Sequence, residues 1–242
     1  MPLSPVPSFL SQLSLAAAVV VSAVGTYYAS KPPYATSKPP LKTGDLLHRW
    51  GITKAHANKV IAAPVFFLAA HTVALALTYP FFPKWLLGCG DVSKLNTDLI
   101  TWSRATAIPL ALILCVAIPL RLVPYATLGR DFTFTLAEPS RLVTTGVYRF
   151  VQHPSYTGMV VLMAANSALL YRVDGALSCW VQPDWYETVR SFQLAMTPVL
   201  VAVTLYGVST RVLQEERMLE KKFGTEWKSW HARTARFIPW VF

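Results

Sequence analysis

Residues 150–171 read FVQHPSYTGMVVLMAANSALLY and contain no Asp, Glu, Lys or Arg. A stretch of about 17 to 25 apolar residues is long enough to cross the hydrocarbon core of a bilayer as a helix. Pro154 suits the first turn of such a helix, because the N–H that proline lacks would have no helical partner there. The stretch therefore predicts a membrane-spanning helix that begins at Pro154, with His153 at its mouth.

The whole chain has the composition of a membrane protein. Of its 242 residues, 53% are hydrophobic and 14% are charged, whereas about a quarter of the residues of a soluble domain are charged. No Asp, Glu, Lys or Arg precedes Lys31, and none occurs in residues 60–83, 105–120 or 191–210. The stretch 105–120 reaches spanning length if Arg121 snorkels or if the helix continues to Pro124.

These patterns predict an all-α integral membrane protein with about five transmembrane helices. We expect one polytopic domain over residues 1–242. Residues 1–127 would supply N-terminal helices, and residues 128–242 would carry the functional motifs at a cytosolic cofactor site.

The basic residues predict the orientation of these helices. The chain has 22 Lys and Arg residues, and only five of them fall on one side of the five predicted spans. These five are Lys84, Lys94, Arg104, Arg172 and Arg190. The positive-inside rule places the other side, with the C-terminus, in the cytosol. The formal net charge of +10 then reflects topology and attraction to anionic headgroups rather than a nucleic-acid partner.

The three cysteines do not indicate a metal site. Cys89, Cys115 and Cys179 lack the Cys-x-x-Cys spacing and the nearby histidines that zinc sites use. Cys89 and Cys179 both fall in loops predicted on the non-cytosolic side. There they form either a disulfide or two unrelated thiols.

A second informative segment follows the stretch 191–210. Arg211 and Glu215 are four residues apart and share one face of a helix, Glu216 and Glu220 repeat this spacing on the adjacent face, and Gly224 is expected to end the helix. Arg211 and Glu215 could form an ordinary surface ion pair. However, a carboxylate at an apolar border needs a cationic partner, and S-adenosylmethionine offers a sulfonium and an ammonium together with a carboxylate. Free N–H groups at the start of the helix from Pro154 would suit that carboxylate.

Taken together, the motifs resemble the isoprenylcysteine carboxyl methyltransferase family. They are LVTTGVY at 142–148, HPSYxG at 153–158, RxxxEE at 211–216, FGxxWxxW at 223–230 and Ile238-Pro239. The resemblance covers roughly residues 128–242. Phospholipid N-methyltransferases are similar in the His-Pro-x-Tyr-x-Gly and Glu-Glu elements.

The resemblance implies a function and a set of site residues. It implies S-adenosylmethionine-dependent methyl transfer, in the endoplasmic reticulum membrane, to the C-terminal carboxylate of prenylated cysteine in CaaX-processed proteins such as small GTPases. Arg211 would contact that carboxylate, and Glu215 would serve both catalysis and the cofactor. The other implied cofactor residues are Ser140, Arg141, Leu142, Val143, Tyr148, His153, Pro154, Ser155 and Tyr156. The family usually has Arg before His-Pro, and this chain has Gln152 instead, which removes a permanent cation at the site mouth.

Three other functions remain open at this stage. A phospholipid or other small-lipid N-methyltransferase would use the same cofactor, but its amine nucleophile has no use for a carboxylate-binding Arg211. Nicotinamide-dependent sterol reductases carry a similar His-Pro-x-Tyr ending on longer chains with more spans. A non-catalytic membrane scaffold leaves both cytosolic motifs unexplained.

Overall fold

The computed structural model describes residues 7–31, 55–133 and 136–239, with side chains of the second range from residue 62 onward. We number its helices α1 (Phe9–Ser30), α2 (Ala55–Thr78), α3 (Lys84–Leu87), α4 (Arg104–Ala111), α5 (Ile118–Leu128), α6 (Pro154–Leu170) and α7 (Tyr186–His231). A π-helical segment, Leu112–Ala117, joins α4 to α5. The described ranges contain no strand, and an isolated bridge pairs Val151 with Ala235. The predicted all-α class is thus confirmed for them.

The long helices coincide with the five charge-poor stretches. Three segments are long and apolar enough to cross a membrane: Phe9–Ser30, Thr97–Asp131 and Pro183–His231. Of the other two apolar helices, α6 has 17 residues, and α2 has 24 residues, with side chains described over Ala62–Thr78. The helix over 105–120 reaches its length by continuing through Pro124 to Leu128. A total of five spans stays a prediction.

The core lies where α1, α2 and α6 surround the run from α4 to α5. α1 packs along α2, and α6 packs along α5 and the π-helical segment. Fully buried aliphatic side chains fill the space between them. They include Leu15, Val19, Leu68, Ile113, Leu162 and Leu169.

α7 has a different environment from the other long helices. None of its residues from 191 to 206 is buried, whereas Gly207, Val208, Arg211 and Val212 are. The first part of α7 ends at Gly224 as predicted, because the backbone there is non-helical, at φ 51°. A second helical segment, which was not predicted, follows as far as His231 and buries Trp227 and Trp230. α7 therefore packs against the rest of the protein at Tyr186 and again from Gly207 onward, and residues 191–206 between these positions are not buried.

Gly158 sets the distance between α6 and α5. A Cβ atom at this position would lie 2.9 Å from Leu120 Cβ, 3.0 Å from the Ala117 carbonyl oxygen and 3.1 Å from Arg121 Cγ. Two helices that approach so closely leave no room for a methyl group. The absence of a side chain at Gly158 therefore lets α5 lie directly against α6.

We expect Gly158→Ala to destabilise the fold. Forcing a methyl group into this contact should cost about 1–3 kcal/mol, the usual range for overpacking. The thermal unfolding midpoint in detergent would fall accordingly. Gly207→Ala is the matched control, since Gly207 is also helical and buried but a Cβ there meets nothing within 4 Å. Equal shifts for the two variants would contradict this account of Gly158.

The two predicted outer loops touch, but their cysteines do not pair. The Gly90 N–H donates to the Cys179 carbonyl oxygen at 2.9 Å, and Cys89 Sγ lies 3.1 Å from the Trp180 carbonyl oxygen. Both thiols are free. The suggested Cys89–Cys179 disulfide is therefore not formed, because the Cys89 thiol faces the Trp180 carbonyl instead.

Candidate active site at the start of α6

The two motif segments meet at the first turn of α6. Pro154 occupies the beginning of the helix as predicted, and His153 is its N-cap residue. The Tyr156 hydroxyl donates to Glu215 Oε2 at 2.9 Å. Side chains that are about sixty residues apart in sequence are thus brought into direct contact.

Tyr156 joins the cation and the anion of the α7 motif. Arg211 Nε donates to the Tyr156 hydroxyl oxygen at 3.2 Å, and the same hydroxyl donates to Glu215. Arg211 is buried, with 4% of its surface exposed. The predicted shared face of Arg211 and Glu215 is confirmed, since both side chains reach one hydroxyl group. This arrangement sets a positive and a negative group side by side, as a site for a carboxylate next to a cationic ligand requires.

Glu216 belongs to a separate cluster that the sequence analysis did not nominate. Its Oε1 lies 3.3 Å from His153 Nε2 and 2.9 Å from Arg236 Nε, and its Oε2 accepts from an Arg236 Nη at 3.1 Å. Glu220, four residues further along the helix, lies outside this cluster, and its carboxylate contacts Lys228. Glu216 could have been found from the sequence, because it is the second glutamate of the RxxxEE motif. No motif pointed to Arg236.

A segment from the end of the chain covers the start of α6. We call residues 232–239 the C-terminal strap. The Gln152 N–H donates to the Ala235 carbonyl at 2.8 Å, and the His153 N–H donates to the Arg236 carbonyl at 2.9 Å. His153 and Pro154 are consequently buried. One N–H group of this helix end, that of His153, is therefore not free as expected, because the strap lies over it.

Gln152 holds the strap in place. Its Nε2 donates to the carbonyl and the hydroxyl of Thr234 at 2.7 and 2.9 Å, and its Oε1 lies 2.8 Å from His231 Nδ1. An amide both donates and accepts hydrogen bonds, whereas a guanidinium only donates. The departure from the family pattern at Gln152 therefore matches the partners that the strap offers.

A permanent cation does lie beside the first turn of α6, but Arg121 of α5 supplies it. An Arg121 Nη donates to Ser155 Oγ at 2.6 Å, and Arg121 Nε donates to the Ala29 carbonyl at 2.9 Å. Only 5% of this residue is exposed. Arg121 does not snorkel, because polar atoms of two neighbouring helices satisfy its guanidinium inside the protein.

Three of the remaining predicted cofactor residues, Leu142, Val143 and Tyr148, belong to or pack against an aromatic cluster. We define the aromatic cluster as Tyr148, Leu219, Trp227 and Trp230; Leu142 and Val143 pack against it. Burial raises the pKa of Tyr148, and the nearby Glu215 carboxylate raises it further, so the phenol stays protonated at neutral pH.

Ser140 and Arg141 lie outside the aromatic cluster. The Ser140 N–H donates to Asp131 Oδ1 at 2.9 Å, and its hydroxyl also bonds to Asp131. Arg141 is exposed. Among the side chains that the structure describes, no group of three or more His, Cys, Asp or Glu residues could hold a metal ion.

Comparison with known proteins supports the motif analysis. The model of the isoprenylcysteine carboxyl methyltransferase (ICMT) family matches residues 109–182. Protein-S-isoprenylcysteine O-methyltransferase B of Arabidopsis thaliana is 25% identical over 126 residues, which is 50% of this chain and 53% of the relative. The chain thus aligns with about half the length of the curated relative it matches. The family match runs from α4 to the loop before α7 and leaves out the Arg211 motif. The resemblance to the ICMT family is therefore confirmed, with the family match itself limited to residues 109–182.

Proposed function

We propose that this protein transfers a methyl group from S-adenosylmethionine to the C-terminal α-carboxylate of a prenylated cysteine. The observation that carries the proposal is the Tyr156 hydroxyl, which joins Arg211 to Glu215. Arg211 offers a buried guanidinium to a carboxylate, and Glu215 offers a carboxylate to a cation. The acceptor of this reaction carries a negative carboxylate, which suits Arg211, and the methyl donor carries a positive sulfonium, which suits Glu215.

The reaction needs little acid or base assistance from the protein. A C-terminal α-carboxyl group has a reference pKa of about 3.5, so it is ionised and nucleophilic at neutral pH. S-adenosylmethionine, when bound, supplies an electrophilic methyl group on a sulfonium. A carboxylate oxygen forms a bond to that methyl carbon while the carbon–sulfur bond breaks, and the two opposite charges cancel. Arg211 would hold the attacking oxygen in line at about 3–3.5 Å from the methyl carbon.

The charges and the apolar groups of the described residues suit this cofactor. Glu215 would balance the sulfonium and the ammonium. Arg121, beside Ser155, places positive charge near the first turn of α6, where a carboxylate would bind. The aromatic cluster, with Leu142 and Val143 against it, supplies apolar contacts for a flat base. His153, which Glu216 and the strap hold in place, would fix this side of the site.

The lipid tail of the acceptor would reach the site along α7. Residues 191–206 of this helix are apolar and unburied, and they lead toward Arg211. Each buried CH₂ group of a prenyl chain contributes about 0.8 kcal/mol. We propose that the tail lies against this surface in the bilayer while its carboxylate meets Arg211.

The proposed topology follows from the distribution of basic residues. The C-terminus, the strap and the first turn of α6 would face the cytosol, in the endoplasmic reticulum membrane. The acceptors would be CaaX-processed proteins such as small GTPases, whose prenylated C-termini are presented on that side.

A methyl-transfer assay tests the proposal. The full chain, in detergent or lipid, is incubated with labelled S-adenosylmethionine and a farnesylated cysteine analogue. We expect a base-labile methyl ester on the cysteine analogue. Label on a lipid amine, with no ester formed, would replace the proposal by the phospholipid N-methyltransferase alternative.

A further inference from the structure

Trp227 carries a buried hydrogen-bond donor that the fold does not use. Only 6% of the residue is exposed, and its Nε1 has no hydrogen-bond partner within the described ranges 7–31, 62–133 and 136–239. Buried polar side-chain atoms are nearly always bonded, so each exception calls for an explanation. Trp230, three residues on in the same cluster, shows the ordinary case: its Nε1 donates to the Tyr148 carbonyl at 2.8 Å.

The position of Trp227 relates this donor to the cofactor site. It shares the aromatic cluster with Tyr148, and Leu142 and Val143 pack against that cluster. These three are among the residues that the family resemblance assigns to the methyl donor. The unused N–H is thus part of the same packed group as the proposed cofactor contacts.

The indole ring is also held firmly. It stacks on the His231 ring, with centroids 4.4 Å apart and planes 18° apart. His231 in turn bonds to Gln152 through Nδ1 at 2.8 Å. A ring fixed in this way presents its N–H in one direction, which is the property of a preorganised ligand contact.

We propose that Trp227 Nε1 donates a hydrogen bond to a ring nitrogen of the adenine of the methyl donor. A neutral indole N–H in apolar, aromatic surroundings suits a neutral acceptor on a flat heterocycle, whereas the carboxylate of the same molecule suits Arg121 and backbone N–H groups. The identity of the ligand rests on the proposed function. The assignment of Trp227 rests on its buried, unpaired donor.

Two phenylalanine variants separate a ligand contact from a structural one. Trp227→Phe should weaken binding of S-adenosylhomocysteine to the purified full chain about fivefold to tenfold, the loss expected for one neutral hydrogen bond. Both Trp227→Phe and Trp230→Phe remove the same buried ring volume, so each should lower the unfolding midpoint of the ligand-free protein. Trp230→Phe should lower it further, because only this variant also removes a hydrogen bond, the one to the Tyr148 carbonyl.

Cofactor analogues then locate the acceptor. S-adenosylhomocysteine analogues in which one adenine ring nitrogen is replaced by C–H (1-deaza, 3-deaza and 7-deaza) are titrated into wild type and Trp227→Phe. For one of the three, wild type should lose affinity while Trp227→Phe loses no more. Equal binding of S-adenosylhomocysteine by wild type and Trp227→Phe would overturn the inference. Methyl transfer to a lipid amine, with the Trp227 effects intact, would overturn the proposed acceptor alone.

Discussion

Arg211→Ala should reduce methyl-ester formation by about 30-fold to several thousand-fold while leaving S-adenosylhomocysteine binding close to that of wild type. Arg211 is buried and, in the proposed function, is the group that holds the acceptor carboxylate. Removing one partner of a desolvated charge pair costs about 2–5 kcal/mol, which corresponds to roughly 30-fold to several thousand-fold in rate or affinity. The measurements are ester formation at saturating cofactor and a separate titration of S-adenosylhomocysteine.

Two variants serve as controls for Arg211. Arg211→Lys keeps the charge but loses the planar fork, so it should retain part of the activity with a raised KM for the acceptor. His153→Ala should weaken cofactor binding and ester formation together, because His153 lies at the start of α6 and contacts Glu216. If Arg211→Ala and His153→Ala lost cofactor affinity equally, the two roles would be misassigned.

The sequence predicted the helices because the requirement for them is local. A long run without charge crosses a bilayer as a helix, and Pro154 marks where one such helix begins. Helical spacing likewise predicted that Arg211 and Glu215 share a face, and both reach Tyr156.

The parts of the site that were not predicted depend on partners distant in sequence. Snorkelling of Arg121 was one of two ways for residues 105–120 to reach spanning length, yet the helix continues instead, and a carbonyl of α1 and a hydroxyl of α6 hold Arg121 inside. Gly224 ends the first part of α7 as predicted, but the second helical segment beyond it, which buries Trp227 and Trp230, was not predicted. No local spacing predicts such packing.

The same limit explains the C-terminal strap. Nothing in the residues around Arg236 indicates that they return to Gln152 and His153. The family pattern suggested that Gln152 removes a charge from the site, while the structure gives its amide two hydrogen-bonding groups of Thr234 and two of His231. The role of Gln152 could therefore be understood only from the structure, which shows that the C-terminal strap contacts it.

Glu216→Ala should loosen the strap and destabilise the protein. Glu216 accepts two hydrogen bonds from Arg236 and lies against His153. Breaking a buried ion pair costs about 3–5 kcal/mol, and we expect roughly 2–3 kcal/mol here because the Arg236 side chain is 46% exposed and can return to water. Unfolding in detergent would show this loss, and cofactor affinity should fall with it, since the strap lies over the start of α6.

Limited trypsin digestion distinguishes strap release from general destabilisation. Arg233 is an exposed residue of the strap, and cleavage after it should become faster in Glu216→Ala at temperatures well below unfolding. Glu220→Ala is the matched control one turn further along α7, because its carboxylate makes only a surface contact with Lys228, worth about 0.2–1 kcal/mol at most. If both variants were cleaved at the same rate as wild type, the strap would be held by Gln152 and the backbone hydrogen bonds alone. Glu216 would then have no part in closing the site.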